Sequence, residues 1–339
     1  MMYKADFKYS FTGFFRWPVL VTLTLIFAAS LWLEFRGIDI GLPSRERLEV
    51  SLGGEAVMQR KLPEIRQALS NNVAERSEFR DKGDKEYFGE LAGFSPYFDQ
   101  VRSINPDEFH VFKAIAKMKK ERTLNPGYYI YGPFYIYQVG AALAAGKVLG
   151  VIDSGKGAEY YLSHPEQFAV VYLCGRYLSA IMVSLAVVVT FLIGYRIGRL
   201  PLAAFASSLL AFIPIVMLCG KFIKPDSALL FWSSLTLLFA IPALTRARWK
   251  DYLLTGLFIG LCAATKYPGV FTCSYLVMFH LMRRYSEWHE LPSAKRKFFS
   301  SSDWKLVAAG GVCCVTFLMV NFAIWADMPT FLNDFKWVL

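Results

Sequence analysis

The sequence predicts an all-α polytopic membrane protein with about seven spans. Three observations predict it. Of its 339 residues 55% are hydrophobic and 16% aromatic, with a mean hydropathy of +0.35, whereas a soluble domain is about 45–50% apolar. The excess is concentrated in blocks almost free of charge, of the length a bilayer core requires. The net charge of +10, from 37 Lys and Arg against 27 Asp and Glu, gathers at the ends of those blocks. Topology accounts for that placement better than a nucleic-acid footprint does.

Taken in order, the blocks are Trp17–Glu34, Phe168–Tyr195, Leu200–Cys219, Ser227–Leu244, Tyr252–Lys266, Gly269–Met282 and Leu306–Trp325. The first follows Lys4, Lys8 and Arg16 and lacks a small-residue cleavage motif, so it reads as a retained span rather than a signal peptide. Cys174, Cys219, Cys262, Cys273, Cys313 and Cys314 all lie inside apolar blocks. Without metal or disulfide spacing they read as small core hydrophobes. No internal repeat is evident.

Pro133–Ile152 is the ambiguous block, glycine-bearing and preceded by tyrosines that favour a membrane interface. The positive-inside rule decides its path. With a cytoplasmic N-terminus and no crossing here, the short cytoplasmic loops hold Arg196 and Arg199; then Arg246, Arg248 and Lys250; then Arg283, Arg284, Lys295, Arg296, Lys297 and Lys305. A crossing would put almost all of that charge outside. Pro133–Ile152 is therefore expected to lie in or dip into the outer face. Residues 35–167 become one long outer loop, 168–325 six further spans, and 326–339 an outer tail. Within the loop, Ser44-Arg45-Glu46-Arg47 and Pro63-Glu64-Ile65-Arg66 each open a candidate helix. The surrounding alternating charges read as a solvated face.

This threading brings five polar features to one face. Asn105-Pro106-Asp107-Glu108 opens an amphipathic helix, where the acids either complement the helix dipole or do chemistry. Leu124-Asn125-Pro126-Gly127-Tyr128-Tyr129-Ile130-Tyr131-Gly132-Pro133 is either an interfacial turn or the lining of a site. Lys221-Phe222-Ile223-Lys224-Pro225-Asp226 holds either a local Lys–Asp pair or lipid contact, or an anion site. Arg176 and Lys266 lie inside apolar blocks and either snorkel or serve function. Carboxylates beside cations at membrane depth suit transfer from an anionic lipid headgroup. Cations would hold the phosphate as it gains charge on leaving, and a carboxylate would take a proton from the attacking hydroxyl. No Ser–His–Asp pattern or glycine-rich phosphate loop competes, and His110, His164, His280 and His289 lack metal-ligand spacing.

The order Asn-Pro-Asp-Glu, Leu-Asn-Pro-Gly-Tyr-Tyr-Ile-Tyr-Gly-Pro, Gly-Arg-Tyr-Leu-Ser-Ala, Lys-Pro-Asp-Ser-Ala and Gly-Leu-Cys-Ala-Ala-Thr-Lys-Tyr-Pro-Gly resembles the GT-C glycosyltransferases. More narrowly it is similar to the dolichyl-phosphate-mannose protein mannosyltransferases and their bacterial relatives that use polyprenyl-phosphate sugars. The resemblance runs from Trp17 onward, interrupted by a charged insert at residues 37–101. It implies a GT-C-type transmembrane module with outer-face interfacial helices in the first loop. It also implies an inverting hexosyl or pentosyl transferase moving a sugar from a polyprenyl phosphate to a hydroxyl on a glycan, lipid or protein.

Carried over by position, the resemblance implies Asp107 as the main catalytic carboxylate, the base or the group that orients the acceptor, with Glu108 and Asp226 in support. Arg176 and Lys266 are the lipid-phosphate residues, joined by Lys221 and Lys224. Asn125, Pro126, Tyr128, Tyr131 and Tyr135 line the site. The sequence requires no cofactor and no metal ligand set, although some enzymes of this fold use a divalent cation, Mg or Mn. The implied location is a bacterial inner membrane with the site facing the periplasm or exterior. Family members usually continue with more spans, so a chain ending at Leu339 also fits a truncated or split enzyme. The alternative function is a non-catalytic subunit or lipid-handling scaffold of a larger membrane complex.

Overall fold

Proline punctuates this chain, and helices begin where it stands. Proline at the first helical position loses no intrahelical hydrogen bond and has its φ already set, while the residue before it is pushed to extended backbone. In the computed structural model, which describes residues 14–53, 103–153, 164–290 and 303–338 with a few single positions between them, five helices start this way. They are α3 (Pro106–Glu121), α4 (Pro133–Val148), α5 (Pro165–Phe212), α6 (Pro214–Lys221) and α7 (Pro225–Thr245). The others are α1 (Trp17–Phe35), α2 (Arg45–Leu52), α8 (Trp249–Thr265), α9 (Cys273–Glu290), α10 (Asp303–Val320), α11 (Ala323–Ala326) and α12 (Met328–Val338). A 3₁₀ segment, Tyr267–Thr272, joins α8 to α9. The described residues contain no strand.

Four of these helices are long and apolar enough to cross a membrane: α1, α5, α7 and α10. The 48 residues of α5 are not one rod. Gly198 and Arg199 leave helical geometry, Arg199 with φ 63°, and Pro201 follows. The chain reverses there, so Gly194 of the first arm meets the Ala203 backbone of the second. The break falls between the two sequence blocks that end at Tyr195 and begin at Leu200. The second block itself is interrupted at Ile213, where Pro214 starts α6. At 17 residues α8 is short for a span, and α9 carries Arg283, Arg284, Glu287 and Glu290 in its last turns.

The helices pack in a layered series: α1 on α5, α5 on α7, α7 on α8 and α8 on α10. The tightest join follows from Gly256 and Gly260, spaced as Gly-x-x-x-Gly on α8. Gly256 lies against the Ala309 backbone, and Gly260 against the Cys313 carbonyl and Thr316 of α10. Small residues at that spacing let two helix backbones approach where lipid offers no hydrophobic drive. Across one end of the series lie α3 and α4, held by a core of Val111, Tyr135, Val139, Tyr172 and Ile223.

Basic residues gather at the opposite end. Arg196 donates to the Leu238 carbonyl, Arg283 to Thr245 and Lys305 to Ala247. There too the Tyr252 hydroxyl lies 2.7 Å from His280, which lies 2.9 Å from Asp303. In the first loop α2 forms where Ser44 caps it, its hydroxyl accepting from the Arg47 amide. The helix expected from Pro63, most of the charged insert and the basic cluster at Lys295–Lys297 lie outside the described residues.

Candidate active site

The sequence offers four cations and three carboxylates, and their hydrogen bonds sort them into two groups. Arg176, on α5, is fully buried. Its Nε and Nη2 grip both oxygens of Glu108, each at 2.8 Å. Nη2 also donates to the Ser103 hydroxyl, and Nη1 to the carbonyls of Ile38 and Ile40. Those contacts use all five guanidinium donors, and Phe222 covers the charge at 4.9 Å. Glu108, equally buried, accepts further from the Ser103 hydroxyl and from the Ile223 amide at 2.9 Å. A buried charge pair with every valence met in this way is a joint. It binds α3, α5, the 38–40 loop and the turn before α7 into one unit, with no group left to meet a substrate.

Lys221 is used up in similar fashion. Its ammonium, with three donors, reaches the carbonyls of Leu33, Glu34 and Arg36. It thereby closes the C-terminus of α1, where a cation also complements the helix dipole.

The second group is open. Asp107 and Lys224 pair at 3.5 Å with side chains 36% and 35% exposed, and Asp226 and Lys266 at 2.8 Å with 40% and 31%. The Lys266 ammonium donates one hydrogen bond, to Asp226, and that of Lys224 meets Asp107 as a 3.5 Å ion contact, so both have donors to offer a ligand. Asp107 and Asp226 occupy matching places, each following a helix-opening proline in the first turn of α3 and α7. The positive end of each helix therefore faces its carboxylate. Asn105 caps α3 by accepting from the Asp107 amide at 3.1 Å.

Tyr131 joins the two pairs. It lies near both carboxylates, and burial first, then Tyr128 and the charges of Asp107 and Asp226, raise its phenol well above the ordinary value. It stays protonated as a donor at any physiological pH. Tyr128 is raised for the same leading reason, and its ring meets that of Tyr131 edge-on at 5.7 Å and stacks on His110 at 5.4 Å. Tyr135 is buried one turn behind, in the core beneath the pairs.

The loop bearing these tyrosines is pinned at both ends. The Gly132 amide donates to the Thr265 carbonyl at 3.2 Å, and a Cβ there would strike the Ala264 carbonyl. This close approach sets Tyr131 beside Lys266. Asn125 turns the loop by accepting from the Gly127 amide at 2.8 Å and donates to Asp327 at 3.2 Å. Pro126 is buried behind that turn. The Tyr129 amide donates to Asp334, its carbonyl accepts from the Tyr267 hydroxyl, and its own hydroxyl meets the Ala323 carbonyl.

The sequence pattern did not single out Tyr267, Asp327 or Asp334 as site-shaping residues. Their signal is only three-dimensional, since they touch the loop from about 140–200 positions away. Among the described residues no three of His, Cys, Asp and Glu converge as a metal group, and each open carboxylate faces a lysine. Two carboxylates, two part-used ammonium groups and a protonated phenol can together hold an anion and take up a proton.

Residues 132–330, more than half of the chain, match the family described as dolichyl-phosphate-mannose-protein mannosyltransferase. No curated protein and no solved structure matches.

Proposed function

The chain belongs to the dolichyl-phosphate-mannose-protein mannosyltransferase family of membrane glycosyltransferases, and from that premise we propose that it transfers a hexose from a polyprenyl phosphate to an acceptor hydroxyl at the Asp107–Lys224–Asp226–Lys266 cluster. The observation that carries the proposal is the meeting of two half-exposed ion pairs at Tyr131, beside a third pair with no free valence.

In this scheme Lys266 and Lys224 bind the donor phosphate with their unused donors. Asp107 accepts the proton of the acceptor hydroxyl. The acceptor oxygen attacks the anomeric carbon opposite the phosphate and inverts it. The carbon–oxygen bond to phosphate breaks, and its electron pair leaves on the phosphate oxygen, where the two ammonium groups stabilise it. Asp226 keeps Lys266 in place, and Tyr131 orients Asp107. Glu108 and Arg176 hold α3 and the Lys224 turn in register, and Lys221 holds α1. Asn125, Pro126, Tyr128 and Tyr135 shape and back the loop. The acceptor is a hydroxyl of a glycan, lipid or protein.

Seven crossings fit the packing: α1, the two arms of α5 (the second continued by α6), α7, α8, α9 and α10, with α3 and α4 along one face. The arginines and lysines at the far end of the bundle support a cytoplasmic location for that end and a periplasmic or exterior site. A reporter fused after Ile152 should give a non-cytoplasmic signal; a cytoplasmic one overturns this sidedness.

The direct test is transfer of labelled mannose from polyprenyl phosphate by the full chain in membranes, compared with an Asp107→Asn variant. Normal turnover by the variant removes Asp107 from the chemistry. Donor binding without transfer, restored by a co-purifying larger enzyme, would make the chain a non-catalytic subunit. Because the positive charge here comes from lysines, transfer should survive EDTA. Loss on chelation with rescue by Mg or Mn would place a cation beside Asp107 instead.

A further inference from the structure

Three buried polar groups that make no hydrogen bond surround Phe134, one helical turn beyond Tyr131. They are the whole side-chain amide of Gln138, the indole Nε1 of Trp232 and Nδ2 of Asn321. Their proximity is given by contacts on the same residue. The Phe134 amide donates to Asn321 Oδ1 at 3.0 Å, its ring lies 5.9 Å from that of Trp232, and Gln138 is its neighbour four residues along α4. Asn321 is 1% exposed, while Gln138 and Trp232 are half-buried with their polar ends recessed. Buried donors and acceptors are nearly always paired, and leaving several unpaired in one place is costly. The three groups therefore describe a place for something that carries hydroxyls.

Position narrows what that is. Trp232 follows Asp226 by six residues on α7, about 9 Å along the helix. Its ring faces Phe134 of α4 and stacks on Phe258 of α8 at 6.2 Å, and Gln138, leaning toward the N-terminus of α4, approaches Phe134. A recess with two aromatic rings, one full amide and two further N–H donors, round Phe134 and less than two turns of α7 deeper than Asp226, suits a ring with an apolar face and several hydroxyls.

We propose that Gln138, Trp232 and Asn321 form the subsite that binds the hydroxyls of the donor's hexose. This rests on the donor proposed above and adds the residues that read its sugar.

The test is equilibrium binding to the purified full chain in nanodiscs, using polyprenyl-phosphate-mannose and, separately, sugar-free polyprenyl phosphate. Gln138→Leu removes the amide at similar volume, and Trp232→Phe removes the indole N–H while keeping an aromatic ring. Each should raise the Kd for the mannose-bearing lipid about tenfold, leave the Kd for the sugar-free lipid unchanged, and not lower Tm. The second variant keeps the test decisive if the first fails to fold. Equal weakening for both lipids, or no change for either, overturns the subsite while leaving the donor assignment standing. A wild-type chain that binds neither lipid overturns the donor assignment and the subsite together.

Discussion

Asp107 and Glu108 are adjacent in the sequence and opposite in physics. Glu108 points into the bundle, where Arg176, Ser103 and the Ile223 amide meet both of its oxygens. Asp107 lies on the open side of the same helical turn, with a lysine at 3.5 Å and a tyrosine hydroxyl beside it. Successive helical positions are turned about 100° apart, so one residue separates a structural joint from a reactive rim. A buried pair is costly to break because removing one partner strands the other charge. An exposed pair contributes little to stability and keeps its groups available.

That contrast can be broken in stages, beginning with the largest effect. Asp107→Asn should lower transfer by roughly 10²–10⁴-fold, the usual range for losing a general base, with an unchanged melting temperature. Arg176→Met should do the reverse, costing about 3–5 kcal/mol of stability by leaving Glu108 unpaired. Adding Glu108→Leu should recover much of that loss, and thermal denaturation of the purified protein measures both. If Arg176→Met folded normally and lost donor affinity alone, the joint would instead be a ligand site.

Smaller effects sharpen the sorting of the lysines. Lys266→Gln should raise KM for the donor about tenfold, the value of a charge-assisted hydrogen bond, whereas Lys221→Met should leave KM alone and loosen the end of α1. Smallest of all, Asp226→Asn should change stability by less than about 1 kcal/mol, because its pair is half exposed.

Much of the architecture could be read from the chain. Pro106 and Pro133 marked helix starts, the end of one apolar block at Tyr195 and the start of the next at Leu200 marked the break inside α5, and Ser44 opened the candidate helix that became α2. Charge and hydropathy act locally, so they are visible locally. The division of labour among the charged groups was not. Arg176 and Lys266 looked alike as cations inside apolar blocks, yet one uses five donors on four partners and the other one donor on one. The carbonyls of Ile38, Ile40 and Leu33 that occupy Arg176 and Lys221 have no sequence signature at all, since every residue has a carbonyl. Likewise Asn321, which ends α10 and reaches the Phe134 amide 187 residues away, is unremarkable in the pattern. Hydrogen-bond satisfaction is a property of the assembled structure.

The stitching of the 125–131 loop to α11 and α12 has a consequence for how the protein is made. Tyr129 is separated from its amide's partner, Asp334, by 205 residues, and from the Ala323 carbonyl by 194. A ribosome adding 5–20 residues per second needs roughly 10–40 s to cover that interval. Through all of it the loop beside Asp107 lacks the contacts that shape it. The helices bearing the lysines are delivered one after another, and the loop takes its shape only once α11 and α12 have emerged.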